Sequence, residues 1–310
     1  MNRFVVNVKS RPESVMNVGL LAQSLLAGIT NGLTYALIGI GLAAIFKGSR
    51  VPNAMQGEFS VVGAIVVVLL LTGHGWPYWL AILCGGLSGA ILGAFIEVAF
   101  IRYMIRNAAP EDSYLLLTIG IGLSISAAVL YFFGRESHLL PGFGSDNLYI
   151  ILDAVVREHV IWLIAISILL TIGLRQFYRT TSVGLKMMAA SIDPVGAASI
   201  GIDVTLMRTF TFMLGGALGA AAGILITPII PVDYMIGLQL TLKGFAAAIL
   251  GGLTNPLGAA IGGLVLGIIE AMAIVGVSSS YKDVITFSLL ILIMIAMPQG
   301  LLGRAGRTGG

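Results

Sequence analysis

The chain has 310 residues, of which 57% are hydrophobic and only 10% are charged. A soluble domain carries about 25% charged residues, so this composition excludes a water-soluble globular domain and predicts an all-α polytopic membrane protein. The single cysteine, Cys84, excludes a disulfide framework within the chain, and the net charge of +3 indicates loop arginines that orient a membrane bundle rather than a nucleic-acid site.

Stretches without Asp, Glu, Lys or Arg predict the membrane passes, because a spanning helix needs ~20 apolar residues. Nine passes are predicted, at about 16–46, 58–73, 77–101, 113–133, 158–178, 206–228, 240–253, 257–277 and 284–299, and a count of eight is the alternative. The first is over-long and is expected to be tilted or broken near residues 30–32. The seventh is short enough to be a half-helix or a re-entrant segment. Residues 1–15 and 304–310 are then tails on a transmembrane domain at 16–303.

Positive charges outside the passes predict the orientation of the bundle, because Lys and Arg concentrate in cytoplasmic loops. With nine passes, four basic groups fall on one side, which should be the cytoplasm. These groups are Lys47 and Arg50; Arg102 and Arg106; Arg175, Arg179, Lys186 and Arg208; and Arg304 and Arg307. Segment 134–157 then faces outward, and the basic N-terminus is the misfit.

Small residues repeat at helical spacing, which is typical of close helix packing in membranes. The ladders are Gly85, Gly89 and Gly93; Gly215, Gly219 and Gly223; and Gly258 and Gly262. A weak internal echo matches Gly85, Gly89, Ile96 and Glu97 to Gly258, Gly262, Ile269 and Glu270 at the same spacing. Because the two helices run in opposite senses in the predicted topology, the echo is compatible with an inverted repeat of the kind found in transporters, and a chance match between Gly-rich helices is the alternative.

Segment 50–59 joins the first two passes and is dense in polar groups. Pro52 disfavours helix, and irregular backbone survives at membrane depth only where protein or a watery cavity satisfies it. Glu58 begins a long apolar run, and two interpretations stay open. Its carboxylate either caps the helix and answers the helix dipole, or it is a polar element beside a translocation path.

Segment 180–204 is too interrupted to span a membrane and too apolar to be a solvated loop. It predicts two short helices set at an angle. Ser182 is expected to cap the first, which runs to about Ala190, and Asp193 to cap the second, with Pro194 at its first position and Gly201 beyond its end. This amphipathic element indicates a docking surface for a partner protein, and a helix lying on lipid headgroups is the alternative.

Lys243 borders the short seventh pass and is expected to snorkel to the interface. No Gly-Lys pair occurs, so an ordinary phosphate-binding loop is absent from the sequence. His74, His138 and His159 are scattered without metal-ligand spacing, and no Gly-x-Ser-x-Gly motif occurs. The sequence therefore predicts no catalytic site, no metal and no cofactor.

Three groups of residues in one register resemble the permease subunits of branched-chain amino-acid ABC importers. The first group is segment 31–42 (Asn-Gly-Leu-Thr-Tyr-Ala-Leu-Ile-Gly-Ile-Gly-Leu), followed by Asn53, Gly57, Glu58, Phe59, Gly63 and Ala64. The next group resembles that family's coupling loop and comprises Gly184, Ala189, Ala190, Asp193, Ala197, Gly201 and Ile202. The last group is segment 243–245 with Gly251, Gly252 and Gly258, and segment 297–303 is similar to the family's ending.

The resemblance implies a type II ABC importer permease bundle of about 8–9 transmembrane helices in the bacterial inner membrane. The expected partners are two ABC ATPase subunits that bind the ATP, a second homologous or identical permease, and a periplasmic or surface-anchored solute-binding protein, with no nucleic acid. The residues implied in ATPase coupling are Gly184, Leu185, Met187, Met188, Ala189, Asp193 and Gly201, with the two methionines supplying apolar contact. Those implied in the translocation-path signature are Asn53, Gln56, Gly57 and Glu58.

The sequence departs from the family pattern where an aromatic, a small residue and a histidine are usual between Asn53 and Gly57. Ala54, Met55 and Gln56 stand there instead, which leaves the substrate open between hydrophobic amino acids and a related small solute such as urea. A self-sufficient secondary transporter or channel is the alternative function. It would show a buried acidic residue or paired charges at mid-membrane, for which Glu97 and Glu270 are the candidates.

Overall fold

The computed structural model of the protein describes residues 13–144, 147–151, 154–253, 255–276, 281–296 and 300–301. Most of the two predicted tails, and most of segment 297–303 of the predicted family ending, lie outside these residues. Helices make up nearly all of the described part, as the composition predicts. They are α1 (Glu13–Ser49), α2 (Gln56–Val68), α3 (Tyr78–Ile96), α4 (Arg102–Arg106), α5 (Glu111–Phe133), α6 (Glu158–Thr180), α7 (Ser182–Ile192), α8 (Pro194–Ser199), α9 (Val204–Ile226), α10 (Ile236–Gly251), α11 (Pro256–Gly276) and α12 (Lys282–Ala296).

Seven helical stretches of the described residues are long and apolar enough to cross a membrane. Two of them include π-helical turns, Leu69–Gly73 after α2 and Glu97–Ile101 between α3 and α4. The remaining two predicted passes correspond to the shorter apolar helices α10 and α12. The all-α polytopic fold is therefore confirmed, and α10, with 16 residues, has the short length predicted for the seventh pass.

The first helix is unbroken through residues 30–32, so a break there is wrong. The hydroxyl of Thr30 donates to the Leu26 carbonyl at 2.8 Å, which keeps this polar side chain satisfied inside the helix. Gly28 and Gly32 lie directly against the backbone of α11, where a Cβ atom would collide. The glycines therefore serve close packing rather than a kink.

Two groups of three helices, α1–α3 and α9–α11, pack in the same pattern. Helix α1 packs on α11, and α9 packs on α3 in the same way. Helix α2 packs on α3 and α9, and α10 correspondingly packs on α11 and α1. Helix α3 runs antiparallel to α9, since Gly85 lies against Ile224 and Gly93 against Phe212. Helix α1 runs antiparallel to α11, with Gly28 against Ala271 and Gly32 against Gly263, and also to α9, with Gly41 against Gly215 and Gly48 against Thr211. The echo between α3 and α11 thus lies on equivalent helices of opposite sense, as an inverted repeat requires.

The described residues include one small sheet, which the sequence did not predict. Strands β1 (Leu148–Ile151) and β2 (Ala154–Arg157) pair antiparallel, with Leu148 opposite Arg157. Gln23 on α1 bonds both backbone groups of Val155. This places the hairpin at the first half of α1, away from Lys47 and Arg50.

Three of the four predicted basic groups share one face of the bundle. Arg102 and Arg208 bind the same carboxylate, that of Glu97, and Arg50 Nε donates to the carbonyl of Ser191 at 3.4 Å. The fourth group, at 304 and 307, lies outside the described residues. We call this side the basic face, and it is the predicted cytoplasmic side.

Candidate functional site

Helix α2 begins at the mid-depth of the bundle rather than at its surface. Gln56 Nε2 donates to the carbonyl of Gly215 at 2.8 Å, and Gly215 is the central residue of α9. Gly122, the central residue of α5, lies against Met55 and Glu58. Segment 50–55 therefore enters the bundle from the basic face as irregular backbone and starts a helix inside it.

Side chains satisfy this irregular backbone, as burial demands. The side-chain oxygen of Asn53 accepts from the Met55 amide at 3.1 Å, and its nitrogen donates to the Gln56 side-chain oxygen at 3.0 Å. The Ala54 amide donates to Thr118 Oγ1 of α5 at 3.0 Å. Asn53 and Gln56 are fully buried, so these two predicted residues hold the start of α2 against α5 and α9.

Gly57 allows α2 and α10 to touch at their first turns. Its amide donates to Thr241 Oγ1 at 2.8 Å, and a Cβ atom at this position would collide with the carbonyl of Gly237. The positive ends of two helix dipoles therefore converge at mid-depth. This requirement for a glycine explains one residue of the predicted signature.

Glu58 lies at this convergence, and its carboxylate has no hydrogen-bond or ion-pair partner among the described residues. The side chain is 3% exposed, its Oε2 atom is buried without a partner, and the carboxylate rests on Gly237. The predicted cap is wrong, because α2 has no side-chain cap, but Glu58 does lie in the first turn of α2, where the same interpretation places its carboxylate against the helix dipole. The second interpretation, a polar element beside a path, stays a prediction that this geometry suits.

A cavity of about 230 Å³ opens beside Glu58. Its walls are mostly apolar, and they come from segment 54–58, from α5 and from the start of α10. The lining residues are Ala54, Glu58, Ile119, Gly122, Leu123, Ser126, Tyr234, Met235 and Leu238. The volume lies below the ~300–1,000 Å³ of sites for drug-sized ligands, which suits a smaller solute.

The α10 side of this cavity was missed from the sequence. The Ser126 hydroxyl of α5 donates to the Tyr234 carbonyl. Asp233 Oδ1 accepts from the amides of Met235 and Ile236 at 2.8 and 3.0 Å, which fixes the turn that leads into α10. An Asp two to three residues ahead of an apolar run is an N-cap signal. With that signal, segment 233–238 would have predicted a helix that starts near 236.

Lys243 does not snorkel to the interface, so that prediction is wrong. Its Nζ lies 2.7 Å from Glu270 Oε1 and 3.1 Å from Asp283 Oδ1, and it donates to the Tyr35 hydroxyl at 3.1 Å. Because the carboxylates of Glu270 and Asp283 neutralise the Lys243 ammonium, the side chain does not need to extend to the membrane surface for solvation.

Glu97 forms a second buried ion cluster. Its carboxylate is fully buried and lies 2.9 Å from both Arg102 and Arg208, and it accepts from the Thr209 hydroxyl at 2.6 Å. Because Arg102 and Arg208 belong to the basic face, this cluster lies near one membrane surface and not at the mid-membrane position that the secondary-transporter alternative expects.

The predicted coupling segment forms two short helices, α7 and α8, on the basic face. Asp193 caps α8, with its Oδ1 accepting from the Gly196 amide at 2.9 Å, and Pro194 is at the first position, as predicted. The cap of α7 is Thr181 rather than Ser182, because its hydroxyl accepts from the Gly184 amide at 3.0 Å. Gly201 follows α8 with a φ of 85°, which favours glycine.

The coupling residues divide between core and surface. Gly184 and Met187 are buried, Met188 and Ala189 are half-buried, and Leu185, Asp193 and Gly201 are exposed. The apolar contact predicted for Met187 does not fit this burial, since the side chain packs in a cluster with α1, α6 and α9. Exposed apolar side chains instead form the outer surface, namely Val183, Leu185, Ile192, Val195 and Ile200.

Comparison with known proteins identifies the family to which this sequence belongs. The family described as branched-chain amino acid transport system / permease component matches residues 24–294. The high-affinity branched-chain amino acid transport system permease protein LivH of Escherichia coli is 31% identical over 91% of this chain and 95% of its own. BraD of Pseudomonas aeruginosa, of the same description, is 30% identical over 91% and 95%.

A more distant relative is named for a different solute. The galactofuranose transporter permease protein YtfT of Escherichia coli is 24% identical over 86% of this chain and 74% of its own. The structure of PsaBC from Streptococcus pneumoniae in complex with Fab is 13% identical, with a TM-score of 0.52 over 93% of this chain and 95% of that one, and it supports the fold alone. The chain belongs to the family of branched-chain amino acid transport system permease components, and it is a multi-pass permease subunit of an ABC transporter.

Proposed function

We propose that the chain forms the translocation path for a hydrophobic or branched-chain amino acid, or for a related small solute such as urea, in an importer of the bacterial inner membrane. The observation that carries this proposal is the cavity beside Glu58, at the mid-depth of α5 and α9. Transporters place their solute sites near the bilayer midplane, where interrupted helices begin or end. Asn53, Gln56 and Gly57 build that interruption, and Glu58 is the group that faces the solute.

An amino acid suits this cavity better than a neutral sugar or urea. A buried carboxylate without a partner is costly unless a cation approaches it, and a zwitterionic amino acid brings an ammonium group. The apolar walls from Ile119, Leu123 and Leu238 would cover an aliphatic side chain. The relatives at 30–31% identity, which are named for branched-chain amino acids, support the same choice.

The helices α7 and α8 are the proposed docking site for the ATPase subunits. Four exposed apolar side chains on these two short helices, with a fifth, Ile200, directly after α8, form more exposed apolar surface than scattered single residues would. Leu185 and Val195 supply apolar contact in place of Met187, while Gly184 and Asp193 fix the two helix starts. ATP is bound by these partners, because the sequence has no Gly-Lys phosphate loop.

The complete importer would then contain two ATPase subunits, a second permease and a solute-binding protein outside the membrane. Paired buried charges such as those of Glu97 and Glu270 are what the self-sufficient transporter would need at mid-membrane. Each of those carboxylates already has a cation within 3 Å, so neither is available to a solute. The permease assignment accounts for them as structural pairs.

Affinity purification of the tagged chain from native membranes, followed by reconstitution into liposomes, tests this proposal. We expect ATPase subunits to co-purify and leucine uptake to require ATP and the binding protein, with urea and galactose carried more slowly. Leu185→Glu with Val195→Glu should abolish ATPase co-purification, because both charges would enter an apolar contact.

Leu139→Glu is the matched control, since Leu139 is equally exposed and lies outside the basic face, before the hairpin. It should leave ATPase binding intact. Leucine uptake by the chain alone, without ATP, would overturn the importer and favour the secondary transporter. ATP-driven uptake of urea or galactose in preference to leucine would keep the importer and reject the amino-acid substrate.

A further inference from the structure

A large basic cavity lies on the basic face, apart from the solute cavity. Its volume is about 580 Å³. The ends of α1 and α6, the helix α7 and the turn into α11 form its walls. The lining residues are Lys47, Arg50, Thr171, Arg175, Tyr178, Arg179, Met188, Ile192, Asn255, Pro256 and Leu257.

Four cations line this cavity, and none of them forms an ion pair with a carboxylate of the described residues. Lys47 Nζ lies 5.4 Å from the centre of the Tyr178 ring, and Arg50 Nε makes a long bond to the Ser191 carbonyl. Arg175 and Arg179 are both exposed. The nearby Asp193 is engaged in capping α8. Uncompensated charges of one sign around a cavity favour an anion of opposite charge.

An apolar groove continues from the basic cavity toward the membrane centre. This groove, of about 120 Å³, shares Thr171 with the basic cavity and is lined by α1, α6 and α11. On α6, Ile168 and Ile172 precede Arg175 and Arg179 at spacings of three and four residues, so all four lie along one exposed face. A hydrocarbon surface therefore leads directly into the cluster of cations.

We infer that this site binds an anionic phospholipid of the cytoplasmic leaflet. The phosphate headgroup lies among Lys47, Arg50, Arg175 and Arg179, and an acyl chain follows the apolar groove along Ile168 and Ile172. Basic pockets between membrane helices on the cytoplasmic side have the charge that anionic headgroups require. A free phosphate would use the cations and leave the groove empty.

The position of the site gives the bound lipid a structural effect. Met188 and Ile192 of α7 form one wall, and Asn255 and Leu257 of the turn into α11 form another. A headgroup bridging the cations would relieve their mutual repulsion and brace α7 against α1 and α6. Anionic lipid is therefore expected to raise the thermal stability of the chain.

The experiment compares the purified, delipidated chain in nanodiscs of phosphatidylcholine with nanodiscs that contain phosphatidylglycerol or cardiolipin. Native mass spectrometry counts retained lipids, and a thermal melt reads stability. The variant is Arg175→Gln with Arg179→Gln. The matched control is Arg106→Gln with Arg135→Gln, which removes the same charge from exposed positions that do not line the cavity.

We expect anionic lipid to be retained by the wild type and the control, and to raise both melting temperatures by several degrees. The double variant should bind it about 30-fold more weakly, since two cations are lost, and should lose most of the shift. Equal retention by both variants would overturn the site. Inorganic phosphate producing the full shift would overturn the lipid. ATPase co-purification lost in the double variant, with no lipid dependence, would assign the cations to a protein contact instead.

Discussion

The buried carboxylates of the described residues fall into two kinds. Glu97 and Glu270 each lie within 3 Å of a cation, and each carboxylate joins its own helix to another, α3 to α9 through Arg208 and α11 to α10 through Lys243. Glu58 is equally buried but has no partner, and it faces a cavity. Because an ionisable group inside the membrane without a counter-charge is a functional candidate, the first two are explained by the fold, and the third is the candidate for a functional role.

The two ion clusters also differ in what their loss would leave behind. Removing Glu97 leaves two arginines without a counter-charge, and arginine cannot become neutral by losing a proton. Removing Lys243 leaves Glu270 without its cation, but this carboxylate can accept a proton and become neutral. The three carboxylates should therefore separate in unfolding measurements, and the following changes test that order from the largest effect to the smallest.

Glu97→Leu should have the largest effect. It leaves the half-buried Arg102 and Arg208 without a counter-charge, and breaking a fully buried pair, which sets the upper bound, costs about 3–5 kcal/mol. Denaturant unfolding in nanodiscs measures the loss, with Glu136→Gln, at an exposed carboxylate, as the control. A loss no greater than that of the control would mean that the cluster does not hold α3 to α9.

Lys243→Met should cost less, roughly 1–3 kcal/mol, because it leaves a buried acid that can be protonated. The double change Lys243→Met with Glu270→Leu should recover part of this loss, since an apolar pair of similar size often replaces a buried ion pair without penalty. The same unfolding assay decides it. A double variant less stable than the single would show that Asp283 and Tyr35 depend on the charges.

The sequence predicts the helices better than it predicts these clusters. Runs without charge place the seven long helices, because the bilayer imposes their length. The sequence analysis placed Lys243 at the interface because it could not show the ion pair with Glu270. That pair depends on how α10 packs on α11. Local spacing contains no such information, and only the echo between Glu97 and Glu270 hinted that both belong to equivalent helices.

The candidate site was predicted in part for the same reason. The polar segment 50–59 stands out in an apolar chain, so the sequence singles out Asn53, Gln56, Gly57 and Glu58, which the structure brings together at the start of α2. Gly237 and Ser126 resemble ordinary helix residues, and their place beside Glu58 follows from long-range packing. The cap at Thr181 was assigned one residue late, which is the usual precision of helix ends.

Gly237→Ala should have a small effect on stability, and the size of that effect measures how closely the Glu58 carboxylate packs against α10. A methyl group here would meet the carboxylate of Glu58, and overpacking costs about 1–3 kcal/mol. The gain in helix propensity from Gly to Ala, up to about 1 kcal/mol, offsets part of it. The net loss should disappear in the double variant Gly237→Ala with Glu58→Ala, and a loss that persists would place the strain in the backbone of α2 instead.

Glu58→Gln should cost no stability, because no ion pair or hydrogen bond of the described residues is lost with the charge and an unpaired buried carboxylate is removed. Leucine uptake by the assembled importer should nevertheless fall by an order of magnitude or more, since truncating a buried charge pair with a ligand costs about 2–5 kcal/mol. Uptake and unfolding measured on the same preparation separate the two effects. Glu97→Gln provides the contrast, since it should lower stability first and uptake only as a consequence. If Glu58→Gln unfolds as readily as Glu97→Gln, then Glu58 is a structural carboxylate like the other two; if it is stable and transports normally, the solute passes elsewhere.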